Sequence, residues 1–274
     1  MENRENHLEN NIKWLVLDVD ECLYNKTYQN DNKSIKFGDA FITIHTEIIQ
    51  KYLDTINNRM NFTFDIDSLV NYLKNLNGGL NSIIGLIILL EKLNIHFSMS
   101  EYHNIMFKSF RYDKITQNSN INKLITKAQS YNMKVAIFSN GSYPHIMKCL
   151  NQLGVNISLL DYISCLEFTS KQVINEQKPS MFSYINFQNE INALPKNIYF
   201  FDDNYNNCKT ANNLGWNTIL VNDKNNEDDV RPVNTKKHKQ IKIKNKMFNL
   251  KNINKKYIHS IPNIDKAIDL IHCM

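Results

Sequence analysis

The chain has 274 residues, of which 42% are hydrophobic and 22% are charged, and its formal net charge is +5. This composition is typical of a globular protein with a substantial core and argues against a disordered or fibrous chain. Such a modest charge favours a solvated basic loop over a surface built to bind nucleic acid or membrane.

The cysteines and the apolar runs restrict the class of protein further. The five cysteines are widely scattered and form no C-x-x-C pair, which predicts a reducing compartment without a disulfide framework or a zinc site. Residues 1–11 are polar and lack the apolar core of a signal peptide, so we interpret them as a frayed leader or the tail of a short helix. The most apolar run, Ile83 to Leu90, is too short to cross a bilayer. We therefore expect a cytoplasmic protein with no membrane partner.

The first predicted strand covers Ile12 to Leu17 and leads directly into Asp18 and Asp20. Its continuous apolar run is typical of a strand buried on both faces in a parallel sheet, and ligands of such sheets bind at the carboxyl ends of the strands. Residues two apart on an extended chain point the same way, so both carboxylates can face one crevice. They would repel each other unless a cation or a shared proton relieves them, although two solvated loop aspartates would also explain the pattern.

Residues 25–117 show helical periodicity and almost no strand pattern. Four short helices are predicted there, the second capped by Asp65 and the fourth by Ser98 or Ser100. Four consecutive helices indicate a small bundle of the four-helix type, inserted as a cap over the end of the first strand. The predicted division is therefore a helical cap at residues 25–117 and an α/β core formed by residues 1–24 and 118–274.

Helices and strands alternate after this insertion. The predicted elements are a helix from Ile121 to Tyr131, a strand from Lys134 to Phe138 ending in a turn at Ser139 to Gly141, a helix from Pro144 to Leu153, a strand from Tyr162 to Cys165, a helix opened by Pro179, a strand from Ile198 to Phe201, a helix from Asn206 to Leu214 and a strand from Thr218 to Val221. Repeated β-α-β units predict a Rossmann-like parallel sheet with helices on both faces. Residues 223–256 are rich in Asn and Lys and are interpreted as a mobile insertion, after which Tyr257 to Ile271 is expected to dock back on the core through a short helix.

Three of these strands end in polar residues that could share one crevice, and a lysine lies between the second and third of them in sequence. If the substrate is a phosphate monoester, Asp18 can attack phosphorus as a nucleophile and form an acyl phosphate. Asp20 can then protonate the leaving alkoxide and later deprotonate the attacking water. Lys178 can neutralise charge on the phosphoryl group and keep Asp18 ionised.

The other two strand ends supply phosphate and metal ligands in this hypothesis. Ser139, Asn140 and Gly141 can hydrogen-bond the phosphoryl oxygens together with Lys178. The aspartates would form an all-oxygen site that suits Mg²⁺, made of Asp18, Asp20, Asp202 and Asp203. Taken singly, these residues have simpler explanations, since Ser139 is an ordinary turn residue, Lys178 an ordinary surface lysine and the Asp pair an ordinary helix cap. Their shared order and position at strand ends favour the site.

The motifs resemble those of the haloacid dehalogenase (HAD) superfamily of phosphohydrolases. The matching segments are Asp18-Val19-Asp20-Glu21-Cys22-Leu23-Tyr24, Phe138-Ser139-Asn140-Gly141, Lys178-Pro179, and Phe201-Asp202-Asp203-Asn204 with Asn207 beyond it. Within the superfamily the chain is most similar to the pyrimidine 5′-nucleotidase-like branch, given its Leu-Tyr ending of the first motif and its helical insertion. The resemblance implies a Rossmann-like core, a helical cap, dependence on Mg²⁺ and a small phosphorylated substrate such as a nucleoside 5′-monophosphate.

The chain departs from the family pattern at Cys22, where a Thr or Ser is usual, and activity is expected to survive this change. Dehalogenases of the same fold lack the second aspartate and the metal, so Asp20 and the Asp202-Asp203 pair argue against that activity. Two alternatives stay open: a catalytically silent HAD-fold binding or regulatory protein, and a phosphatase that processes nucleic-acid ends through the basic insertion.

Overall fold

A computed structural model describes residues 12–76, 82–166, 177–222 and 258–274. The predicted leader and the 223–256 insertion lie outside the described residues. The strands are β1 Lys13–Leu17, β2 Thr27–Asn30, β3 Lys33–Lys36, β4 Met133–Ser142, β5 Tyr162–Leu166, β6 Ile198–Asp202, β7 Asn217–Val221 and β8 His259–Ile261. The α-helices are α1 Phe37–Met60, α2 Ile66–Leu76, α3 Ser82–Lys92, α4 Met99–Ser109, α5 Ser119–Ser130, α6 Tyr143–Leu153, α7 Met181–Glu190 and α8 Tyr205–Asn213.

Six strands form one sheet in the order β5-β4-β1-β6-β7-β8, and every pairing between them is parallel. The first strand lies in the middle, with Leu17 beside Ile137 of β4 and Phe201 of β6. The carboxyl ends of β1, β4 and β6 therefore meet at one edge, as the sequence predicts for a Rossmann-like α/β core.

Alternate residues of β1 belong to two separate apolar clusters, because successive side chains of a strand point to opposite faces. Leu15 and Leu17 pack with buried residues of α5 and α6. Trp14 and Val16 pack with buried residues of α7 and α8. The sheet therefore has helices on both faces, which explains why β1 is apolar throughout and confirms the predicted fold class.

The segment between β1 and β4 contains α1 to α4 and an antiparallel hairpin of β2 and β3 that the sequence analysis missed. Its turn residues, Asp31 and Asn32, both have positive φ angles (46° and 64°), which Asp and Asn tolerate in two-residue hairpin turns. The hairpin escaped prediction because its two four-residue strands are mostly polar and only partly buried, so they carry no apolar alternation.

Two helices of this segment, α2 and α4, begin where a side chain satisfies a free backbone N–H group. Asp65 Oδ1 accepts a hydrogen bond from the Ser68 N–H at 2.7 Å, and Ser98, not Ser100, accepts from the Glu101 N–H at 3.2 Å. The 24-residue α1 is much longer than the short helix predicted. Its buried residues belong to the same apolar cluster as Leu15 and Leu17, so the helical segment packs against the sheet domain.

The last residues close the fold at the edge of the sheet. Strand β8, three residues long and not predicted, pairs with β7. The predicted closing helix is a 3-10 helix, Ile264–Asp269, that packs against α5. The C-terminal Met274 carbonyl accepts hydrogen bonds from the Lys13 ammonium at 2.6 Å and the Tyr199 hydroxyl at 2.7 Å. Among the described residues, no helix is both long and apolar enough to span a membrane.

Candidate active site

A cavity of about 240 Å³ opens at the carboxyl ends of β1, β4 and β6. The Asp18 N–H donates to the Phe201 carbonyl at 2.9 Å, which ties the residue after β1 to the neighbouring strand. The cavity is lined by Asp18, Asp20, Glu21, Phe41, Ser139, Asn140, Lys178, Asp203, Asn204 and Asn207. The fold thus brings together six of the eight predicted site residues as lining, whereas Gly141 and Asp202 are not part of the lining.

The Lys178 ammonium is almost completely buried and has three acceptors. It lies 3.0 Å from Asp18 Oδ1 and 2.7 Å from Asp202 Oδ2, and it donates to the Phe138 carbonyl at 2.8 Å. Burial alone would lower the pKa of Lys178, but the two carboxylates outweigh it and raise that pKa above its usual value. Lys178 is therefore a fixed positive charge beside Asp18.

Asp202, at the end of β6, is fully buried and its carboxylate is extensively hydrogen-bonded. Besides Lys178, it accepts from the Asn204 N–H at 2.8 Å and from the Asn207 side-chain amide at 3.0 Å to each oxygen. Burial raises the pKa of Asp202, partly offset by Lys178. Because its oxygens are occupied, Asp202 is better suited to hold Lys178 and Asn207 in place than to reach into the cavity.

Asp18, Asp202 and Asp203 can each offer an oxygen within 4.8 Å of the others. Burial raises the pKa of Asp18 to about 7, with Asp202 adding to the rise and Lys178 opposing it. Burial and Asp18 likewise raise the pKa of Asp203 to about 7, although Lys26 lies 3.0 Å from its carboxylate and opposes the rise. This surplus of buried negative charge, carried by hard oxygen donors, fits a divalent cation such as Mg²⁺.

Asp20 lies in a different environment from Asp18, although only one residue separates them. Its Oδ1 accepts from the Tyr24 hydroxyl at 2.8 Å and lies 2.9 Å from His145 Nε2. Burial would raise the pKa of Asp20, but the charge and hydrogen bond of His145 and the bond from Tyr24 lower it below its usual value. The Asp20 carboxylate forms one cluster of possible metal ligands with His145 and Cys149. This cluster is distinct from the one formed by Asp18, Asp202 and Asp203. A role for Asp20 among the metal ligands stays a prediction.

The predicted phosphate-binding turn is part of strand β4, which runs to Ser142 with a change of register after Phe138. The sequence analysis ended this strand too early, because Ser139-Asn140-Gly141 has the composition of a turn. Asn140 exchanges two hydrogen bonds with the Lys178 backbone, at 2.7 and 2.8 Å. A Cβ on Gly141 would lie 2.6 Å from Ile146 Cδ1, so any larger residue here would have to displace the end of that side chain in α6.

Sequence comparison supports the same family as the motifs do. The model of the family described as "Haloacid dehalogenase-like hydrolase" matches residues 68–221, more than half of the chain. This protein belongs to the haloacid dehalogenase-like hydrolases. The match begins after Asp18 and Asp20, and it is the structure that places these two residues with the family's later motifs. A comparison with curated proteins found no match.

Solved structures share the HAD fold across almost the whole chain. A HAD phosphatase from Thermococcus onnurineus is 11% identical with a TM-score of 0.52, covering 93% of this chain and 95% of its own. L-2-haloacid dehalogenase from Xanthobacter autotrophicus, with chloropropionic acid covalently bound, is 15% identical with a TM-score of 0.50, covering 96% and 99%. At such identities the likeness establishes the fold and assigns no reaction to this chain.

Four residues of this HAD site carried no role in the sequence analysis: Tyr24, Lys26, His145 and Asn207. Tyr24 and Asn207 lie inside quoted motifs, so their positions were visible but their partners were not. His145 is in the first turn of α6, directly after the second motif, and this position is its one sequence clue. Cys22, which stands where the family usually has Thr or Ser, has a buried thiol 3.6 Å from the Phe201 carbonyl. Burial raises the pKa of this thiol well above the usual range.

Proposed function

We propose that this HAD-like hydrolase is a Mg²⁺-dependent phosphomonoesterase that acts through an aspartyl-phosphate intermediate. The proposal rests on one observation: Asp18 and Asp20 line the same cavity but have different partners. Asp18 lies against the Lys178 ammonium and the other acidic oxygens, whereas Asp20 is held apart by Tyr24 and His145. Two carboxyl groups in contrasting environments suit a nucleophile and an acid–base group.

In the first half of the reaction, an Asp18 oxygen attacks phosphorus as the bond to the leaving oxygen breaks. Asp20 donates its proton to that oxygen, so the product departs as an alcohol. Asp20 can hold this proton because a phosphoryl dianion beside it raises a carboxyl pKa by like-charge repulsion. In the second half Asp20 takes a proton from water, which attacks the acyl phosphate and regenerates Asp18.

The positive charges around the cavity fit a phosphoryl group. Lys178 is fixed 3.0 Å from the nucleophile and can stabilise charge on the transferred group. Ser139 and Asn140 line the cavity at the adjacent strand end, where the Ser139 hydroxyl is a donor that can bind a phosphoryl oxygen. Phosphate binding by Asn140 and Gly141 stays a prediction, because the Asn140 amide donates to the Lys178 carbonyl and the Gly141 N–H to Ser139 Oγ. Magnesium bound by Asp18 and Asp203, with Asp202 behind them, would lower the pKa of the nucleophile and cancel repulsion between carboxylate and phosphate.

We infer that the substrate is a small phosphorylated metabolite, with a nucleoside 5′-monophosphate as the first candidate. The cavity holds about 240 Å³ and is bounded on one side by Phe41 of α1, an aromatic surface on which a ring could stack. In this proposal residues 25–117 act as the cap that selects the leaving group. The resemblance to the pyrimidine 5′-nucleotidase-like branch favours UMP or CMP.

The test is phosphate release with MgCl₂ from a panel of nucleoside monophosphates, sugar phosphates and p-nitrophenyl phosphate. We expect turnover that is lost with chelator and lost in Asp18→Asn. Arg111→Gln is a matched control, because it changes an exposed charge outside the cavity lining. Halide release from 2-chloropropionate without phosphate release would refute the proposal in favour of a dehalogenase. No turnover of any substrate by folded protein would favour the silent binding protein.

A further inference from the structure

His145 is a buried imidazole with a partner at each nitrogen. Only 1% of its surface is exposed, and its Nε2 lies 2.9 Å from Asp20 Oδ1 while its Nδ1 lies 2.7 Å from the Tyr112 hydroxyl. Whether the Tyr112 hydroxyl donates to Nδ1 of a neutral ring or accepts from Nδ1–H of a charged one, the His145 Nε2–H faces the Asp20 carboxylate. In both cases His145 is a hydrogen-bond donor to Asp20.

The imidazole ring is also fixed by its aromatic neighbours. The rings of Phe41 and Phe110 meet it edge to face, with centroids 5.3 and 5.0 Å away. Phe41 and Phe110 come from α1 and the end of α4, whereas His145 is on α6 of the sheet domain. Burying a polar ring in apolar surroundings costs stability unless its hydrogen bonds are made, so the bonds to Tyr112 and Asp20 hold the imidazole in this place.

The two donors to Asp20 converge on the same oxygen. Tyr24 and His145 both bond Oδ1, at 2.8 and 2.9 Å, so Oδ2 is the oxygen they leave for the proton and the leaving group. A carboxyl group held by one oxygen cannot rotate freely about its terminal bond. The other oxygen is then presented in one direction, which is what proton donation to a departing alkoxide requires.

We propose that His145, oriented by Tyr112, is a positioning residue that aims Oδ2 of Asp20 at the leaving-group oxygen. The inference rests on the proposed phosphatase activity and adds a residue to it. In the step concerned, the Asp18 O–P bond forms, the P–O bond to the leaving group breaks, and the Asp20 proton passes to the departing oxygen. His145 itself neither gains nor loses a proton overall.

The proposal predicts a dependence on the leaving group. p-Nitrophenolate departs as a stable anion and needs no proton, whereas the alkoxide of a nucleoside or sugar phosphate does. The constant kcat/KM covers the steps up to departure of the leaving group, so it isolates this proton transfer from later hydrolysis of the acyl phosphate. We expect His145→Leu to lower kcat/KM on the nucleoside or sugar phosphate (the alkyl phosphate) by about 100-fold, which is the lower end of acid–base effects. On p-nitrophenyl phosphate it should lower kcat/KM by less than about threefold.

Three further variants separate positioning from a general loss of structure. His145→Gln keeps a side-chain N–H near the place of Nε2 and should recover most of the alkyl-phosphate rate. Tyr112→Phe keeps the ring but removes the hydroxyl, so it should show the same substrate dependence in weaker form, even if His145→Leu fails to fold. Tyr199→Phe removes another tyrosine hydroxyl, one that donates to the C-terminal carbonyl, and should leave both rates unchanged.

Equal losses on both substrates in Tyr112→Phe and His145→Leu, or no loss in either, would overturn the role of His145 while the phosphatase proposal stands. A wild-type protein that releases no phosphate from either substrate would overturn both. Thermal unfolding of each variant, measured alongside, confirms that the compared proteins are folded.

Discussion

Binding of Mg²⁺ should become much tighter as the pH rises through neutrality. The reason is that Asp18 and Asp203 each have a pKa of about 7 without a cation, and both must lose their protons to act as ligands. A carboxyl group with such a pKa is about 10% ionised near pH 6 and about 90% ionised near pH 8. A site with one such ligand therefore changes its apparent affinity for Mg²⁺ by roughly tenfold. Two such groups give a change on the order of 100-fold over the same range.

Isothermal titration calorimetry of MgCl₂ into the full chain measures this change directly. Repeating the titration in two buffers with different heats of protonation counts the protons released per ion, which should approach two near pH 6 and fall well below one near pH 8. Asp203→Asn removes one titrating ligand, so it should weaken binding and reduce the pH dependence to about tenfold. Equal affinity at both pH values with no proton release would refute the reasoning that burial and mutual repulsion hold these carboxyl groups protonated.

Three further outcomes concern stability. The folded protein keeps protons on Asp18 and Asp203 up to a pH of about 7, whereas the unfolded chain loses them near the ordinary pKa of 3.8. These two groups outweigh the buried His45, whose pKa is lowered to about 4 and acts in the opposite direction. The metal-free protein should therefore lose stability as the pH rises from about 4 to about 7, seen as a falling Tm that MgCl₂ restores. Gly85→Ala should cost about 1–3 kcal/mol in urea unfolding, because the added Cβ would lie 1.9 Å from the Leu73 carbonyl oxygen where α3 crosses α2. Asp202→Asn should cost about 3–5 kcal/mol, since it breaks the buried ion pair with Lys178.

Each stability variant has a control of the same chemistry. Gly38→Ala places its Cβ 3.2 Å from the flexible end of Glu21, so it should change stability far less than Gly85→Ala. Asp113→Asn breaks the exposed pair with Arg111 and should cost far less stability than Asp202→Asn, because solvent screens exposed ion pairs. A Tm that rises between pH 4 and 7 in the absence of metal, or test variants no less stable than their controls, would contradict these expectations.

The sheet and the outline of the site follow from the sequence because both depend on local order. A strand buried on both faces must be apolar throughout, as Trp14 to Leu17 is, and parallel strands place their carboxyl ends together. Asp18, Ser139 and Lys178 could therefore be assigned to one crevice before any distance was known. The β2–β3 hairpin and β8 escaped prediction because their strands are short and lack apolar alternation.

The tertiary structure alone decided which carboxylates share an environment. Asp18 and Asp20 are the same residue type two positions apart, and nothing local distinguishes their surroundings. Asp18 nevertheless faces Lys178, and Asp20 faces His145, a residue 125 positions away. Likewise, of the adjacent Asp202 and Asp203, only the first is fully buried among hydrogen-bond donors. The physical reason is that burial and long-range partners set the charge and direction of a side chain, and a local pattern of residues contains neither.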